Sequence, residues 1–308
     1  MKLYYKILVL IVLIILIKIG YDNLKETKTY NLDIVVEFPS KSEIEKELQV
    51  SEYFNRFNKI DLDVRNLNNV NILDTYLDNI EELTIKEKYR INNTIRSILD
   101  NLDEKNKKLF LYSNLWRFVK FNNLENNFPH THSNMIFLPS HMIESNLLTP
   151  QNRETIVHEK VHIYQRFYPQ VFRQLYTKYW HFQKRTIKNI YLIDDISRSN
   201  PDGVDNNWVF TYKNINIILI SLFNDTPQSL GDVTNYGVYL DKNYNIRYPL
   251  KVKKLNDIKV FKHFFGTMYS NNYHPNELAA DVIAKHVFNK SNNSPAYNNF
   301  LKWWSKIN

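Results

Sequence analysis

The chain has 308 residues, a formal charge of +8, no cysteine and only five glycines. That length suits one elaborate domain or two close-packed lobes. The lack of cysteine excludes disulfides, a thiolate nucleophile and thiolate metal ligands, so a metal site here must be built from His, Asp or Glu.

In chain order, MKLYYK is a short basic leader and Ile7 to Ile17 is wholly apolar. No small-x-small cleavage pattern follows in KIGYDN, which predicts a single-pass signal anchor over 1–20, a juxtamembrane linker over 21–40 and a catalytic domain outside the cytoplasm. Cleavage of the leader would make the protein secreted instead. Residues 41–128 read as a helical N-terminal region, with FPSKSEIEKELQVSEYFNRF opening one amphipathic helix and TYLDNIEELTIKEKYRINNTIRSILDNL the next. All nine histidines lie after residue 129, so the first third is expected to carry no catalytic chemistry. Asn134 to Leu138 has strand character between Pro129 and Pro139. Thr149 as N-cap and Pro150 in the first turn then predict a helix of about 18 residues. Its apolar residues Ile156, Val157, Val161, Ile163, Tyr164 and Phe167 cover most sides, as in a helix through the protein centre. SNPDGVD is a turn beside the cleft, and strands follow in NNWVFTYKNINIILISLF and NYGVYLDKNYNIRYPLKVKKL. Pro275 opens another helix in NNYHPNELAADVIAKHVF, and Ser294-Pro295 begins the last. The fold class expected is α+β, with the catalytic domain over 129–308.

His158, Glu159 and His162 stand as His-Glu-x-x-His. Residues four apart share a helix face, so both imidazoles can grip one zinc ion while Glu159 stands beside the open position. Gly and His three and six residues further on, as in metzincins, are absent, because Gln165 and Tyr168 occupy those places. A third ligand must come from elsewhere. After Glu159 the chain contains one more glutamate, Glu277, and His181, Asp194 and Asp195 compete with it. Zinc lowers the pKa of bound water to near neutrality, and Glu159 is the residue placed to take the proton and pass it to a leaving amine. His286, nine residues beyond Glu277, falls on the opposite face and reads as an exposed helical histidine. His130, His132 and His141 read as polar residues around a strand rather than a second metal site.

Asn276, Glu277, Ala280 and Asp281 match an Asn-Glu-x-x-Ala-Asp pattern. With the first motif, this makes the chain resemble the gluzincin metallopeptidases, the thermolysin-like clan. The resemblance covers two helices and the strand before the first. It implies a zincin-like fold and one zinc ion held by His158, His162 and Glu277, with Asp281 accepting from the outer nitrogen of His158. It also implies a His or Tyr that stabilises the oxyanion: His274 is the first choice, with Tyr273, Tyr236, Tyr239, Tyr244 and Tyr248 as alternatives. Asn134, on a strand expected at the sheet edge, would bind an extended peptide substrate. One departure stands out. Glu277 follows His162 by 115 positions, far beyond the few tens usual in that clan, so an insertion of strands and loops is expected.

Residues 163–308 hold 19 Lys and Arg against 10 Asp and Glu, whereas the first 162 hold 21 against 22. The basic half surrounds the expected cleft, which suits acidic substrates or an anionic membrane surface. Nucleic acid is not expected, because KVKKLNDIKVFK reads as a solvated strand face and no nucleic-acid motif accompanies it. The function expected is a membrane-anchored, zinc-dependent peptidase acting on peptides or proteins. The alternative is a catalytically inactive zincin-fold protein that binds a partner or a membrane surface. Glu159, dispensable for holding zinc, favours the enzyme.

Overall fold

The computed structural model describes residues 34–103, 106, 107, 110, 113–203, 206–266 and 271–307, and the expected membrane segment over 1–20 lies outside them. No helix among the described residues is long and apolar enough to cross a membrane. Everything below belongs to the unit Val35–Asn308.

The expected linker over 21–40 ends in a strand. Val35–Glu37 (β1) pairs in parallel with Leu115–Phe121 (β3). A capping box then starts α1 (Lys41–Gln49), the Ser40 N–H donating to Glu43 Oε2 at 2.8 Å. Helices α2 (Lys59–Val64) and α3 (Ile72–Asp78) each begin on an asparagine cap, Asn58 and Asn71. The helix expected to run on from Thr75 is broken. Ile80–Glu81 (β2) turns extended and pairs antiparallel with β3, and α4 (Ile85–Asp100) starts afresh on a Thr84/Glu87 capping box. Glu87 Oε1 also receives Lys120 Nζ of β3 at 3.0 Å, which fixes the new helix to the sheet.

The first sheet runs β1-β3-β5-β4 with β2 beside β3, where β4 is His130–His132 and β5 is Met135–Pro139. Strands from both sides of the expected boundary at 128/129 therefore share one sheet, and the helical region is not separate. The strand expected at Asn134 to Leu138 is present as β5, but it is internal, and β4 forms the edge. Strand β3 (LWRFVKF) shows no polar alternation because both its faces are covered. Val119, Phe121, Met135 and Phe137 pack against Ile44 and Leu48 of α1 and Tyr76 and Leu77 of α3.

After α5 (Ser140–Glu144), the long helix α6 (Pro150–Phe167) has the expected start, with Thr149 Oγ1 accepting from the Asn152 N–H at 3.2 Å. Two short helices follow, α7 (Pro169–Gln174) and α8 (Tyr191–Asp194). The long interval before Glu277 is then filled by a second, antiparallel sheet in the order β10-β9-β8-β7-β6. Its strands are β6 (Phe182–Lys184), β7 (Trp208–Tyr212), β8 (Ile215–Phe223), β9 (Val233–Tyr239) and β10 (Val252–Lys254). Lys213 and Asn214, at φ of 46° and 63°, make the tight turn between β7 and β8. The chain closes with α9 (Lys259–Phe265), α10 (Pro275–Val287), which packs along α6, and α11 (Pro295–Ile307). His286 is not exposed as expected: its Nδ1 meets Tyr297 Oη at 2.9 Å, and its ring packs on Phe300 and Trp304 of α11.

One core residue is unusual. Lys160, between the two histidines of α6, is fully buried and points at β3, where Nζ donates to the Leu115 carbonyl at 2.5 Å and lies 4.9 Å from the Trp116 ring centroid. No carboxylate pairs with it among the described residues, and burial pushes its pKa down to about 7. An unfolded lysine keeps its proton to about pH 10.4, so across this interval the unfolded chain binds the extra proton and stability rises with pH. Lys160→Met is expected to flatten that rise in urea titrations between about pH 7 and pH 9, and an equal slope in both proteins would count against a neutral buried lysine.

Candidate metal centre

The helical repeat places His158 and His162 on the face of α6 that meets α10, whose first turn carries Glu277. The two Nε2 atoms lie 2.9 Å apart, and Glu277 reaches both, Oε2 at 3.2 Å from His158 and Oε1 at 3.6 Å from His162. These three buried residues offer one ligand atom each within 4.8 Å of one another. The competing ligands do not join them. His181 packs on the rings of Tyr212 and Phe264, and Asp194 accepts from Asn206 at 3.4 Å.

The far side of each imidazole is also occupied. His158 Nδ1 is 3.2 Å from Asp281 Oδ1, and His162 Nδ1 is 2.8 Å from Gln165 Oε1, whose amide in turn donates to the Asn276 carbonyl at 2.8 Å. Both acceptors call for a hydrogen on Nδ1, which leaves two bare Nε2 lone pairs facing a carboxylate. That donor set fits a small divalent cation such as zinc. Burial pushes the Glu277 carboxyl up, but the facing imidazoles His162 and His158, when they carry a proton on Nε2 in place of a cation, hold it well below the usual range. Gln165 was not singled out from the sequence, although its place three residues after His162 is the signal that could have found it.

Glu159 flanks the group. Its side chain is buried, its Oε2 has no partner, and burial, reinforced by Asp202 and Glu277, raises its carboxyl to about 7. It opens on a cavity of about 490 Å³ roofed by Arg198 and by Ser199 to Asp202, the start of the turn SNPDGVD read as lying beside the cleft. Asn200 Nδ2 donates to Glu277 Oε1 at 2.9 Å and also to the Tyr273 hydroxyl. Tyr273 lines this cavity, whereas His274, the first choice for the oxyanion, lines a neighbouring one instead. The reason is local: His274 is the N-cap of α10, with Nδ1 accepting from the Asn276 N–H at 3.1 Å. The other tyrosines considered, Tyr236, Tyr239, Tyr244 and Tyr248, are not among the residues lining this cavity.

The N-terminal helices hold the roof in place. Asp61 of α2 accepts the Ser199 N–H at 3.2 Å and the Ser199 hydroxyl at 2.8 Å, and Arg65 Nη2 donates to the Ser199 carbonyl at 3.0 Å. Arg65 is itself buried between Asp61 and Glu125, and Glu125 accepts from the hydroxyls of Tyr53 and Tyr76. Among the described residues the first third supplies no metal-ligating group, yet it positions the segment that touches one.

Strand β4 is an edge, but a closed one. On its outward side Pro129 has no N–H to give, the Thr131 N–H donates to Asp202 Oδ2 at 3.3 Å, and Arg166 covers the Ser133 carbonyl at 2.6 Å and the Thr131 hydroxyl at 3.0 Å. Arg166 and Asp202 are themselves paired at 3.1 Å. Asn134, expected to bind substrate, sits in the β4–β5 turn with Oδ1 accepting from Arg117 at 2.9 Å, and is not among the residues lining the cavity. His132 packs among Tyr53, Phe54, Tyr76 and Phe137, and His130 stacks on Phe137. Among the described residues neither belongs to a metal-ligating group. Asp202→Ala is expected to speed hydrogen exchange at the Thr131 amide, read by mass spectrometry, because the partner that shields it is removed; unchanged protection would mean that something else closes the edge.

No protein-family model, curated protein or solved structure matches the chain, so the functional reading rests on the geometry of this site.

Proposed function

We propose that the chain is a zinc-dependent peptidase of gluzincin type, with His158, His162 and Glu277 as the ligands. The observation that carries this reading is their convergence beside a buried, partnerless carboxylate, Glu159. Such a carboxylate is costly to bury; it could join His162 and Asp202 in a second trio of ligand atoms, but in a site held by His158, His162 and Glu277 it is not needed as a ligand and is explained by proton transfer. Zinc held by this donor set would lower the pKa of water and polarise a substrate carbonyl. Glu159 would accept a proton from the attacking water and return it to the leaving amine. Tyr273 keeps its proton, because burial raises it well above its ordinary value, and Asn200 donates to its oxygen, which leaves the phenol hydrogen for a developing oxyanion. Asn200 also fixes Glu277 through the same amide. The proposal includes anchoring by residues 1–20, with this domain outside the cytoplasm.

A second reading, a zincin-like protein that binds a partner without cleaving it, draws on the closed β4 edge, where an extended peptide would otherwise pair. Elemental analysis and peptide cleavage separate the two. The full-length chain is expected to hold one equivalent of zinc that is lost in Glu277→Ala. Glu159→Gln is expected to keep the zinc and lose about 10²- to 10⁴-fold in kcat. Zinc without cleavage of any peptide in a random library would favour the binding protein; absence of zinc from folded protein would refute the peptidase and leave the binding protein.

A further inference from the structure

Of the four basic side chains that line the cavity, one has no carboxylate partner among the described residues. Arg65 is paired with Glu125 at 3.2 Å, Lys285 with Asp281 at 3.4 Å, and Lys290 with Glu154. Arg198, on the roof, forms no ion pair among the described residues. It is nevertheless held in place. Its backbone N–H donates to the Ser221 carbonyl of β8 at 3.0 Å, its Nη1 donates to the Leu230 carbonyl at 3.1 Å, and its guanidinium lies 5.1 Å from the Tyr273 ring centroid. One amino group is thus used for support, while the remaining donors of the fork are left over beside the cavity. Tyr273 in turn shares Asn200 with Glu277, so two side chains, Tyr273 and Asn200, link the guanidinium to the metal-ligand cluster.

We propose that Arg198 is the specificity residue of this site, receiving a carboxylate of the peptide close to the bond that is cut. This rests on the peptidase reading above. The closed edge of β4 strengthens it: where backbone pairing is blocked by Asp202 and Arg166, recognition shifts to side chains and chain ends. A planar, fixed guanidinium prefers a carboxylate, which it binds through two parallel hydrogen bonds. The carboxylate has two sources, an Asp or Glu side chain or the C-terminus of the peptide.

The test uses the full-length chain carrying Glu159→Gln, so that peptides are bound without turnover, in zinc-supplemented buffer with calorimetric titration. Three probes distinguish the sources: acetyl-Ala-Glu-Ala-amide, acetyl-Ala-Gln-Ala-amide and acetyl-Ala-Gln-Ala with a free carboxyl. One or both of the carboxylate probes are expected to bind about tenfold tighter than the neutral amide, and Arg198→Gln is expected to abolish the difference. The amidated Glu probe would identify side-chain recognition, and the free acid would identify capture of a chain end. Arg198→Lys, which keeps the charge but not the fork, is expected to retain part of the preference and guards against misfolding of the Gln variant, with thermal melting of both as the check. Equal binding of all three probes, no binding of any, or a preference that survives Arg198→Gln would overturn the proposal. Failure of the wild-type chain to cleave any peptide, with the Arg198-dependent preference intact, would overturn the peptidase reading alone.

Discussion

Placing two imidazoles and several carboxylates in one buried space is the constraint around which the structure is organised. His158, Glu159, His162, Asp202, Glu277 and Asp281 are all buried, and ionised groups in such a place are tolerated only when each is paired or hydrogen-bonded. The packing of α6 along α10 brings the histidines to Glu277, and the surrounding side chains remove almost every remaining conflict. Gln165 and Asp281 take the outer ring nitrogens, Asn200 takes one oxygen of Glu277, and Arg166 and Thr131 take Asp202. Two site oxygens accept no hydrogen bond among the described residues, Asp281 Oδ2, which lies 3.4 Å from Lys285 Nζ, and Glu159 Oε2, which has no ion pair either. The pattern of satisfied neighbours therefore sets one group apart by its lack of a partner, and that is the group assigned the proton transfer.

The parts of this arrangement that were legible in the sequence are those set by local periodicity. Thr149 and Pro150 announce α6, the four-residue spacing puts His158 and His162 on one face, and Glu277 and Asp281 repeat the device on α10. Charge and polarity within a single helix are enough to read them. The roof was not legible in the same way, because Asn200 and Asp202 acquire their partners only through contacts across the chain. His274 shows the limit in the other direction. Its closeness in sequence to Glu277 suggested a place at the metal, but capping α10 turns its ring to the helix end.

The first third was read as helices apart from the catalytic domain, and the reason for the error is physical. Strand β3 is buried on both faces, so it lacks the alternation that marks a half-exposed strand, and β1 and β2 are only three and two residues long. The break before α4 did have a local signal, the Thr84/Glu87 capping box, which ends the apparent continuity of the helix from Thr75. What no local pattern reveals is that α2 exists in part to hold the cleft roof, through the buried group formed by Asp61, Arg65 and Glu125.

That tether bears on the order in which the molecule assembles. Asp61 and Ser199 stand 138 positions apart, so their bond closes a long loop of chain, and contacts of such wide separation are slow to form. The histidine pair of α6 needs only its own helix to become aligned, whereas the roof waits until both the second sheet and α2 are in place. A ribosome-bound chain that has just exposed His158 and His162 thus lacks the Ser199 anchor and the α10 carboxylates. The cleft needs α2, the roof and α10 together, and a nascent chain that has not yet exposed α10 has no finished site.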